Sequence, residues 1–335
     1  MPPLKTYGLT QSPFHKLMGL DDYCALLGLT RQQLKAIRDH KYSLYRPFPK
    51  MMNGKPKECQ PAVGQLRRIQ RRFHDLLSRI NTPPYVTSLR RDLTYVENAA
   101  LHRGRRYVLK TDITGFFENA RSKFIATFFT GVLHMNADLA AISAALLSYE
   151  GHLPRGGTAS QTIAFWAFYP TFERIHQYAQ EQGLTFSLWV DDLVFSSERP
   201  LPAGLLPMLR YSFGRLELQL KEEKTRKYQA DEIKLVTGVA LYPDGSMKIG
   251  QKTKKKILDT LRQPGKLEVM DSNALMALRS RIATVRVLED TAFKALDDRL
   301  MKRLEDEPVP DKVPTRKHFS SRPKFRYAPA FLAKG

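Results

Sequence analysis

The sequence predicts an α+β fold in which helices and strands mix without the regular alternation of a doubly wound sheet. Two short apolar segments, 186–189 and 193–196, flank the run Val-Asp-Asp at 190–192 and predict an antiparallel hairpin. Beyond Gly250 the chain is basic and helical, with no strand signal. We therefore predict a mixed first domain over 1–250, and a helical second domain with a basic tail over 251–335.

Three segments carry the clearest helical patterns. Thr30 is the expected N-cap of a helix over 29–37. Apolar residues recur at helical spacing over 66–80, and 137–147 is rich in Ala and Leu. One face of the 66–80 helix would enter the core, while its interleaved arginines could meet phosphates or solvent.

Strand and proline signals set the other boundaries. Residues 106–110 read as a strand that runs into Asp112. Pro170 should kink or divide an otherwise apolar helix over 160–180. The stretch 45–61 is predicted to be rich in loops, because prolines and an Asn-Gly pair interrupt it.

The charge balance is strongly basic. The 335 residues include 54 Lys and Arg against 33 Asp and Glu, a formal charge of +21. Such an excess predicts a polyanionic partner bound with salt-dependent affinity, and therefore a nucleic acid. After Asp311 the chain has basic and aromatic residues but no acid. This tail should either order on a partner or stay disordered.

Cysteine content indicates a reducing compartment, and hydropathy argues against a membrane segment. The two cysteines, Cys24 and Cys59, have neither metal-ligand spacing nor the pattern of a disulfide framework. The N-terminus has no apolar leader segment, and no apolar run reaches the roughly 18 residues that a bilayer span requires. We expect a cytoplasmic protein with no membrane partner.

Three acidic residues stand out as candidate catalytic groups. Asp112 follows a predicted strand, and Asp191 and Asp192 are adjacent at the tip of the predicted hairpin. Neighbouring carboxylates repel each other and so raise each other's proton affinity. A cation between them removes the cost of that repulsion. Mg²⁺ takes oxygen ligands, and a pair of such ions can drive phosphoryl transfer. The alternative is a solvated turn, but the apolar strands on both sides argue against it.

Three segments, by their order and spacing, carry a family resemblance. Residues 109–117 read Leu-Lys-Thr-Asp-Ile-Thr-Gly-Phe-Phe, residues 153–160 read Leu-Pro-Arg-Gly-Gly-Thr-Ala-Ser, and residues 189–192 read Trp-Val-Asp-Asp. They resemble the first palm motif, the Leu-Pro-x-Gly segment and the aromatic-x-Asp-Asp motif of reverse transcriptases. The resemblance implies a right-hand polymerase fold, with fingers, a palm built on an antiparallel sheet, and a helical thumb.

Two further segments indicate a subfamily. Residues 98–102 read Asn-Ala-Ala-Leu-His, and residues 236–238 read Val-Thr-Gly. They are similar to the Asn-Ala-x-x-His and Val-Thr-Gly motifs of retron reverse transcriptases. This resemblance, which covers 40–260, implies an RNA-directed DNA polymerase that copies its own structured non-coding RNA. Synthesis would start at a guanosine 2′-OH and give branched multicopy single-stranded DNA (msDNA).

The resemblance also assigns metal ligands and nucleotide contacts. Two Mg²⁺ ions, or Mn²⁺ in their place, would be held by the catalytic residues Asp112, Asp191 and Asp192 and by the carbonyl of Ile113. The expected contacts to the incoming deoxynucleoside triphosphate (dNTP) are Lys55, Lys57, Phe117, Arg155, Gly156 and Lys224.

The implied roles of these nucleotide contacts differ. The two lysines of the fingers would bind the triphosphate as point charges. Phe117 would lie against the sugar and reject a 2′-OH, unless it is a core aromatic residue. Arg155 and Gly156 would lie beside the base and sugar. Lys224 would contact phosphate or donate a proton, or else be a solvated lysine.

The retron-type segments supply the expected contacts to primer and RNA. These are Asn98, His102, Val236, Thr237 and Gly238. For Asn98 and His102 the sequence leaves open a structural role that supports the palm instead.

The chain departs from the family pattern at four positions. Tyr-Ala usually precedes the two aspartates, where this chain has Trp189 and Val190. Gln usually stands at Arg155, and Pro usually stands at Gln161. These changes leave the metal ligands intact but put efficiency and substrate choice in question.

Three functions are compatible with these patterns. The first is a retron reverse transcriptase that acts with its RNA and an accessory effector protein in bacterial antiphage defence. The second is another bacterial reverse transcriptase, of group II intron, diversity-generating or abortive-infection type, against which the segments 98–102 and 236–238 argue. The third is an RNA-binding scaffold whose chemistry has lapsed, which the departures suggest and the intact aspartates oppose.

Overall fold

The computed structural model describes residues 5–52, 55–90, 92–262, 265, 267 and 269–306, with the backbone alone at Met52, Lys55 and Asp306. By its internal packing the chain divides into two units, Met1–Lys252 and Thr253–Gly335. The Asn-Gly pair at 53–54 and the basic tail after Asp311 lie outside the described residues. The assignment of fingers, palm and thumb to parts of the chain stays a prediction.

Helices and strands both contribute to the first unit. Its helices are α1 (Leu20–Leu27), α2 (Arg31–Asp39), α3 (Gly64–Leu77), α4 (Tyr95–Ala100), α5 (Phe116–Asn119), α6 (Ser122–Thr127), α7 (Ala137–Leu147), α8 (Ser160–Ala167), α9 (Tyr169–Glu181) and α10 (Leu205–Gly214). Its strands are β1 (Phe48–Met52), β2 (Lys55–Cys59), β3 (Tyr107–Asp112), β4 (Thr185–Trp189), β5 (Asp192–Ser197), β6 (Arg226–Tyr228), β7 (Lys234–Val236), β8 (Val239–Leu241) and β9 (Met247–Ile249). The predicted α+β class is confirmed.

The described part of the second unit is helical, as predicted. Helix α11 (Gln251–Leu261) begins just before the division, and α12 (Ser272–Arg286) and α13 (Lys294–Asp306) follow. Asp271 caps α12, because its side chain accepts a hydrogen bond from the Ala274 N–H at 2.7 Å. None of the described helices in either unit has the length and apolar content that crossing a bilayer requires.

The first unit is built around a four-stranded antiparallel sheet in the order β4-β5-β3-β6, here called the central sheet. Side chains of a strand alternate between its two faces. One face of the central sheet carries Leu193 and Phe195, which are fully buried, and Phe195 stacks on Phe186 with ring centroids 4.6 Å apart. The opposite face carries Asp112 and Asp192, which pair across β3 and β5. The candidate site therefore lies on the face opposite these aromatic residues.

Several local predictions are confirmed. Thr30 caps α2, since its hydroxyl accepts a hydrogen bond from the Gln33 N–H at 3.1 Å. The segment 160–180 divides into α8 and α9, and Pro170 lies at the second residue of α9. A proline is tolerated in the first turn of a helix because that N–H has no partner within the helix.

The prediction of a loop-rich stretch over 45–61 is wrong. Strands β1 and β2 form a two-stranded hairpin there, with Pro49 opposite Glu58 and Met51 opposite Pro56. In a two-stranded ribbon each strand has an open edge, so a proline whose missing N–H faces outward removes no ladder bond. A third sheet, β7-β8-β9, was not predicted either, and its strands have only three residues each.

Candidate active site

The turn between β4 and β5 brings the three predicted aspartates together. This turn, here called the aspartate turn, consists of residues 190–191. Asp112, at the end of β3, pairs with Asp192 at the start of β5. The Ile113 N–H donates a hydrogen bond to the Asp191 carbonyl at 3.0 Å. The three carboxylates and the Ile113 backbone therefore share one end of the central sheet.

Burial and mutual repulsion shape the electrostatics of this cluster. Burial, together with the charges of Asp112 and Asp192, raises the pKa of Asp191 to about 6. Burial also raises the pKa of Asp192, against the opposing charge of Lys110. Asp191 and Asp192 thus bind protons more tightly than isolated carboxylates do, and a bound cation would relieve the repulsion between their charged forms.

Two lysines supply positive charge to the cluster. Lys224, in the single helical turn Glu222–Lys224, forms an ion pair with Asp112. Its own pKa is raised: burial would lower it, but the hydrogen bond to Asp112 and the other carboxylates outweigh burial. The Nζ atom of Lys110 lies 3.8 Å from Asp192 Oδ1. The motifs give no role to Lys110, although its place two residues before Asp112 puts it on the same face of β3.

The donor set fits a hard divalent cation that also binds a nucleotide. Among the described residues, no three His, Cys, Asp or Glu side chains form a ready-made metal cage. Mg²⁺ seldom uses such a cage, because it usually takes one or two carboxylates together with substrate phosphates. Asp112, Asp191 and Asp192 offer those carboxylates, and Lys224 already pairs its positive charge with Asp112.

The predicted nucleotide contacts of the fingers lie on the β1–β2 hairpin. Lys57 is exposed on β2. Lys55 begins the same strand, but its side chain lies outside the described part of the structure. Phe117 lies on α5 and is half-buried, with its ring edge-on to Phe116 at 5.7 Å.

The segment that contains Arg155 and Gly156 lies against the end of β2. The Arg155 N–H donates to Gln60 Oε1 at 3.2 Å, and the Gln60 N–H donates to the Arg155 carbonyl at 2.9 Å. The Arg155 guanidinium forms an ion pair with Glu118 on α5. Neither Gln60 nor Glu118 was predicted from sequence, and both link the predicted nucleotide contacts to one another.

Asn98 joins the two segments that indicated the retron subfamily. It is fully buried, its Oδ1 accepts from the Thr87 hydroxyl at 2.7 Å, and its Nδ2 donates to Thr237 Oγ1 at 3.4 Å. The Thr237 hydroxyl donates in turn to the Tyr95 carbonyl at 2.8 Å. Because Asn98 exposes no surface in this conformation, the geometry favours its structural role over an RNA contact.

His102 links the two strands that lead into and out of the aspartate turn. Its ring is fully buried, with Nδ1 2.7 Å from Ser196 Oγ on β5 and Nε2 2.8 Å from Ser187 Oγ on β4. Burial lowers the pKa of His102 to about 3, so the ring is neutral. This geometry again favours the structural alternative.

The predicted primer contacts at 236–238 differ in exposure. Val236 ends β7 and is fully buried, whereas Thr237 and Gly238 form the half-buried two-residue turn that leads into β8. Of the three, only these two turn residues present surface that a primer could reach in this conformation.

Two departures from the family pattern converge on Ser88. The Val190 N–H donates to Ser88 Oγ at 3.0 Å, and Gln161 Nε2 donates to the Ser88 carbonyl at 3.1 Å. Val190 has a φ of 59°, a region that β-branched residues avoid. Nothing in the motifs identified Ser88, since its role depends on a contact across 102 residues of chain.

Comparison with known proteins gives the same relationship as the motifs. No family model matches the chain. The retron Se72 reverse transcriptase of Salmonella heidelberg (strain 579083-10) is 25% identical over 214 residues, which cover 62% of this chain and 56% of that protein. The retron Ec48 reverse transcriptase of Escherichia coli is 24% identical over 216 residues, covering 59% and 51%. This chain is similar to retron reverse transcriptases.

A third relative belongs to the same family. The retron Ec86 reverse transcriptase of Escherichia coli is 22% identical over 161 residues, covering 48% of this chain and 50% of that protein. The chain therefore spans about half the length of the relatives it matches. The predicted resemblance to this family is confirmed.

The two solved structures are telomerases. Apo telomerase from Candida tropicalis, truncated from its C-terminal domain, aligns with a TM-score of 0.47 at 7% identity, covering 62% of this chain and 55% of that one. Telomerase from Candida albicans, in complex with the TWJ fragment of telomeric RNA, aligns with a TM-score of 0.46 at 10% identity, covering 77% and 56%.

Proposed function

We propose that this chain is an RNA-directed DNA polymerase of the retron type. One observation carries the proposal: the strand register sets Asp112 opposite Asp192, with Asp191 in the adjoining turn. Carboxylates gathered at a strand end suit metal-assisted phosphoryl transfer. The similarity to retron reverse transcriptases selects nucleotide polymerisation within that reaction class.

The aspartate cluster would hold two Mg²⁺ ions, with Mn²⁺ as a possible substitute. Asp112, Asp191, Asp192 and the carbonyl of Ile113 would be the ligands. When bound, these ions would activate the attacking hydroxyl and stabilise the leaving oxygen. Lys224 would exchange its contact with Asp112 for a phosphate of the nucleotide, either as a charged contact or as a proton donor to the leaving group.

The remaining residues would hold the dNTP and set its orientation. Lys55 and Lys57 on the β1–β2 hairpin would bind the triphosphate. Phe117 would lie against the sugar and exclude a 2′-OH. Arg155 and Gly156 would border the base and sugar, which agrees with their position between the end of β2 and α5.

The proposed template is a cognate structured non-coding RNA. Synthesis would start at a guanosine 2′-OH of that RNA and give branched msDNA. The formal charge of +21 supports a polyanionic partner, and the segments 98–102 and 236–238 support the retron type. The proposed setting is antiphage defence in the bacterial cytoplasm, together with an accessory effector protein.

Analysis of the nucleic acid that co-purifies with the chain tests this function. The wild-type protein should yield DNA that survives RNase, with a residual RNA branch at its 5′ end. A double variant, Asp191→Asn with Asp192→Asn, should lose this DNA by at least about a hundredfold, because it lacks metal ligands. It should stay folded, since the substitutions remove repelling charges.

A variant outside the aspartate cluster provides the control. Asp231→Asn alters an exposed acid outside the cluster and should leave the DNA yield unchanged. RNA without DNA from both the wild-type and the double variant would support the RNA-binding scaffold instead. Unbranched DNA would support another type of bacterial reverse transcriptase.

A further inference from the structure

Arg155 lies where three segments of the proposed nucleotide pocket meet. Its backbone exchanges hydrogen bonds with Gln60 at the end of β2, at 3.2 Å and 2.9 Å. The next residue, Gly156, also lies beside the end of β2, since an added Cβ would be in van der Waals contact with Cys59 Cβ at 3.7 Å. The guanidinium reaches in the other direction, to the carboxylate of Glu118 on α5. Arg155 thus connects the triphosphate hairpin to the helix that carries Phe117.

Helix α5 depends on side-chain contacts for its position. It has only four residues, and so short a helix has little stability of its own. Phe116 anchors one side of it in the core, and the Leu153 N–H donates to the Ala120 carbonyl at 3.1 Å just beyond its end. The contact of Glu118 with Arg155 holds the side of α5 that faces the Leu-Pro-x-Gly segment.

The ion pair is partly shielded from water on its Arg155 side. The Arg155 side chain is 21% exposed and the Glu118 side chain is 43% exposed. A charge-assisted hydrogen bond with one partly buried partner is stronger than an ion pair between two fully exposed side chains, which contributes little. The pair also neutralises the charge that Arg155 would otherwise add beside the pocket, where the family usually has a neutral Gln.

We propose that the Glu118–Arg155 ion pair determines the preference of the site for deoxynucleotides. The inference rests on the proposed function. Glu118 directly follows Phe117 in α5, so anchoring its carboxylate holds the short helix backbone that carries the aromatic ring proposed to exclude a 2′-OH. Discrimination against one hydroxyl needs that ring held to within about 0.5 Å. Glu118 and Arg155 are therefore positioning residues that act through Phe117.

Single-nucleotide incorporation tests the inference. The full chain extends a DNA primer on an RNA template with either dGTP or GTP, and kcat and KM are measured for both. We expect Glu118→Gln and Arg155→Gln each to lower the preference for dGTP by about tenfold, on the scale of one charge-assisted hydrogen bond. In Glu118→Gln the loss should come from a higher kcat/KM for GTP, whereas Arg155→Gln, which also alters a residue that borders the nucleotide, should in addition raise KM for dGTP.

Combined variants separate positioning from direct contact. The double variant Glu118→Gln with Arg155→Gln should lose no more discrimination than either single variant, because both break one interaction. The charge-swapped pair Glu118→Arg with Arg155→Glu should regain part of it. Glu217→Gln, which removes ion pairs with Arg121 and Lys123, is the control and should leave the discrimination unchanged.

Two outcomes would overturn the inference. One is a raised KM for dGTP in Arg155→Gln while Glu118→Gln behaves as wild type, since Arg155 would then bind the nucleotide itself. The other is unchanged discrimination in variants that melt at the wild-type temperature. A wild-type chain that extends no primer would overturn the proposed function, whereas an active wild type with unaltered variants overturns the ion-pair inference alone.

Discussion

The aspartate turn and the turn between β7 and β8 have the same length but differ in what supports them. Both contain two residues, and both place a β-branched residue at positive φ: Val190 at 59° and Thr237 at 44°. Gly238 follows Thr237 at a φ of 92°, which is the pattern of a type I′ turn. In the aspartate turn only the first residue has positive φ, as in type II′ turns, where glycine is usual.

The side chains in the two turns differ in bonding capacity. The Thr237 hydroxyl donates to the Tyr95 carbonyl and accepts from buried Asn98, so hydrogen bonds offset the strain of its backbone. Val190 has no polar side chain, and its turn is held by the hydrogen bond from the Val190 N–H to Ser88 Oγ, by that from the Ile113 N–H to the Asp191 carbonyl, and by the flanking strands. Backbone strain of this kind costs about 1–3 kcal/mol and persists where surrounding structure enforces it, often at functional sites.

The largest effect should come from removing the support beneath the aspartate turn. His102→Ala leaves the Ser187 and Ser196 hydroxyls without their partner and opens a cavity. We expect a loss of about 3 kcal/mol in the free energy of unfolding, measured by urea denaturation. His40→Ala, at an exposed position, should change the free energy of unfolding by less than about 0.5 kcal/mol.

The same histidine should give the wild type a distinct pH dependence. In the unfolded chain His102 takes up a proton near pH 6.5, whereas in the folded chain its pKa is about 3. The folded state therefore binds fewer protons in this window, and stability falls as pH drops from 6.5 towards 3. His102→Ala lacks this contribution, so its deficit relative to wild type should narrow at pH 5. A constant deficit would contradict a neutral buried ring.

A smaller effect should follow from cutting the support of the second turn. Asn98→Ala removes the hydrogen bonds to Thr87 and Thr237, and we expect a loss of about 2 kcal/mol in the free energy of unfolding. The double variant with Thr237→Val should be less destabilised than the sum of the single variants, because both interrupt one network. Asn81→Ala, at an exposed position, is the control. Additive losses would show that Asn98 does not support this turn.

The comparison also shows how far sequence reasoning reaches. The hairpin around the aspartate turn was predictable, because apolar strand residues flank two acids, although the sequence placed Asp192 in the turn and the structure places it at the start of β5. The partners of the residues that depart from the family pattern were not predictable. Glu118 pairs with Arg155, and Ser88 accepts from Val190, because packing brings distant segments together. The β1–β2 hairpin was missed because Pro49 and Pro56, taken locally, indicate loops. The two prolines fit this hairpin because, within the described part of the chain, no third strand pairs with either of its edges.

The smallest effect tests the contrast between the turns most directly, because glycine should change their stability in opposite directions. Val190→Gly removes the strain of a β-branched residue at positive φ and gives up a half-buried side chain. We expect a net gain of up to about 1 kcal/mol in the free energy of unfolding. Thr237→Gly relieves similar strain but removes the hydroxyl that satisfies Asn98, so we expect a net loss of about 1 kcal/mol. Thr237→Val keeps the side-chain volume and separates the hydroxyl from the backbone effect. If both glycine variants shift the urea midpoint in the same direction, backbone strain and hydrogen bonding are not divided between the turns as their contacts indicate.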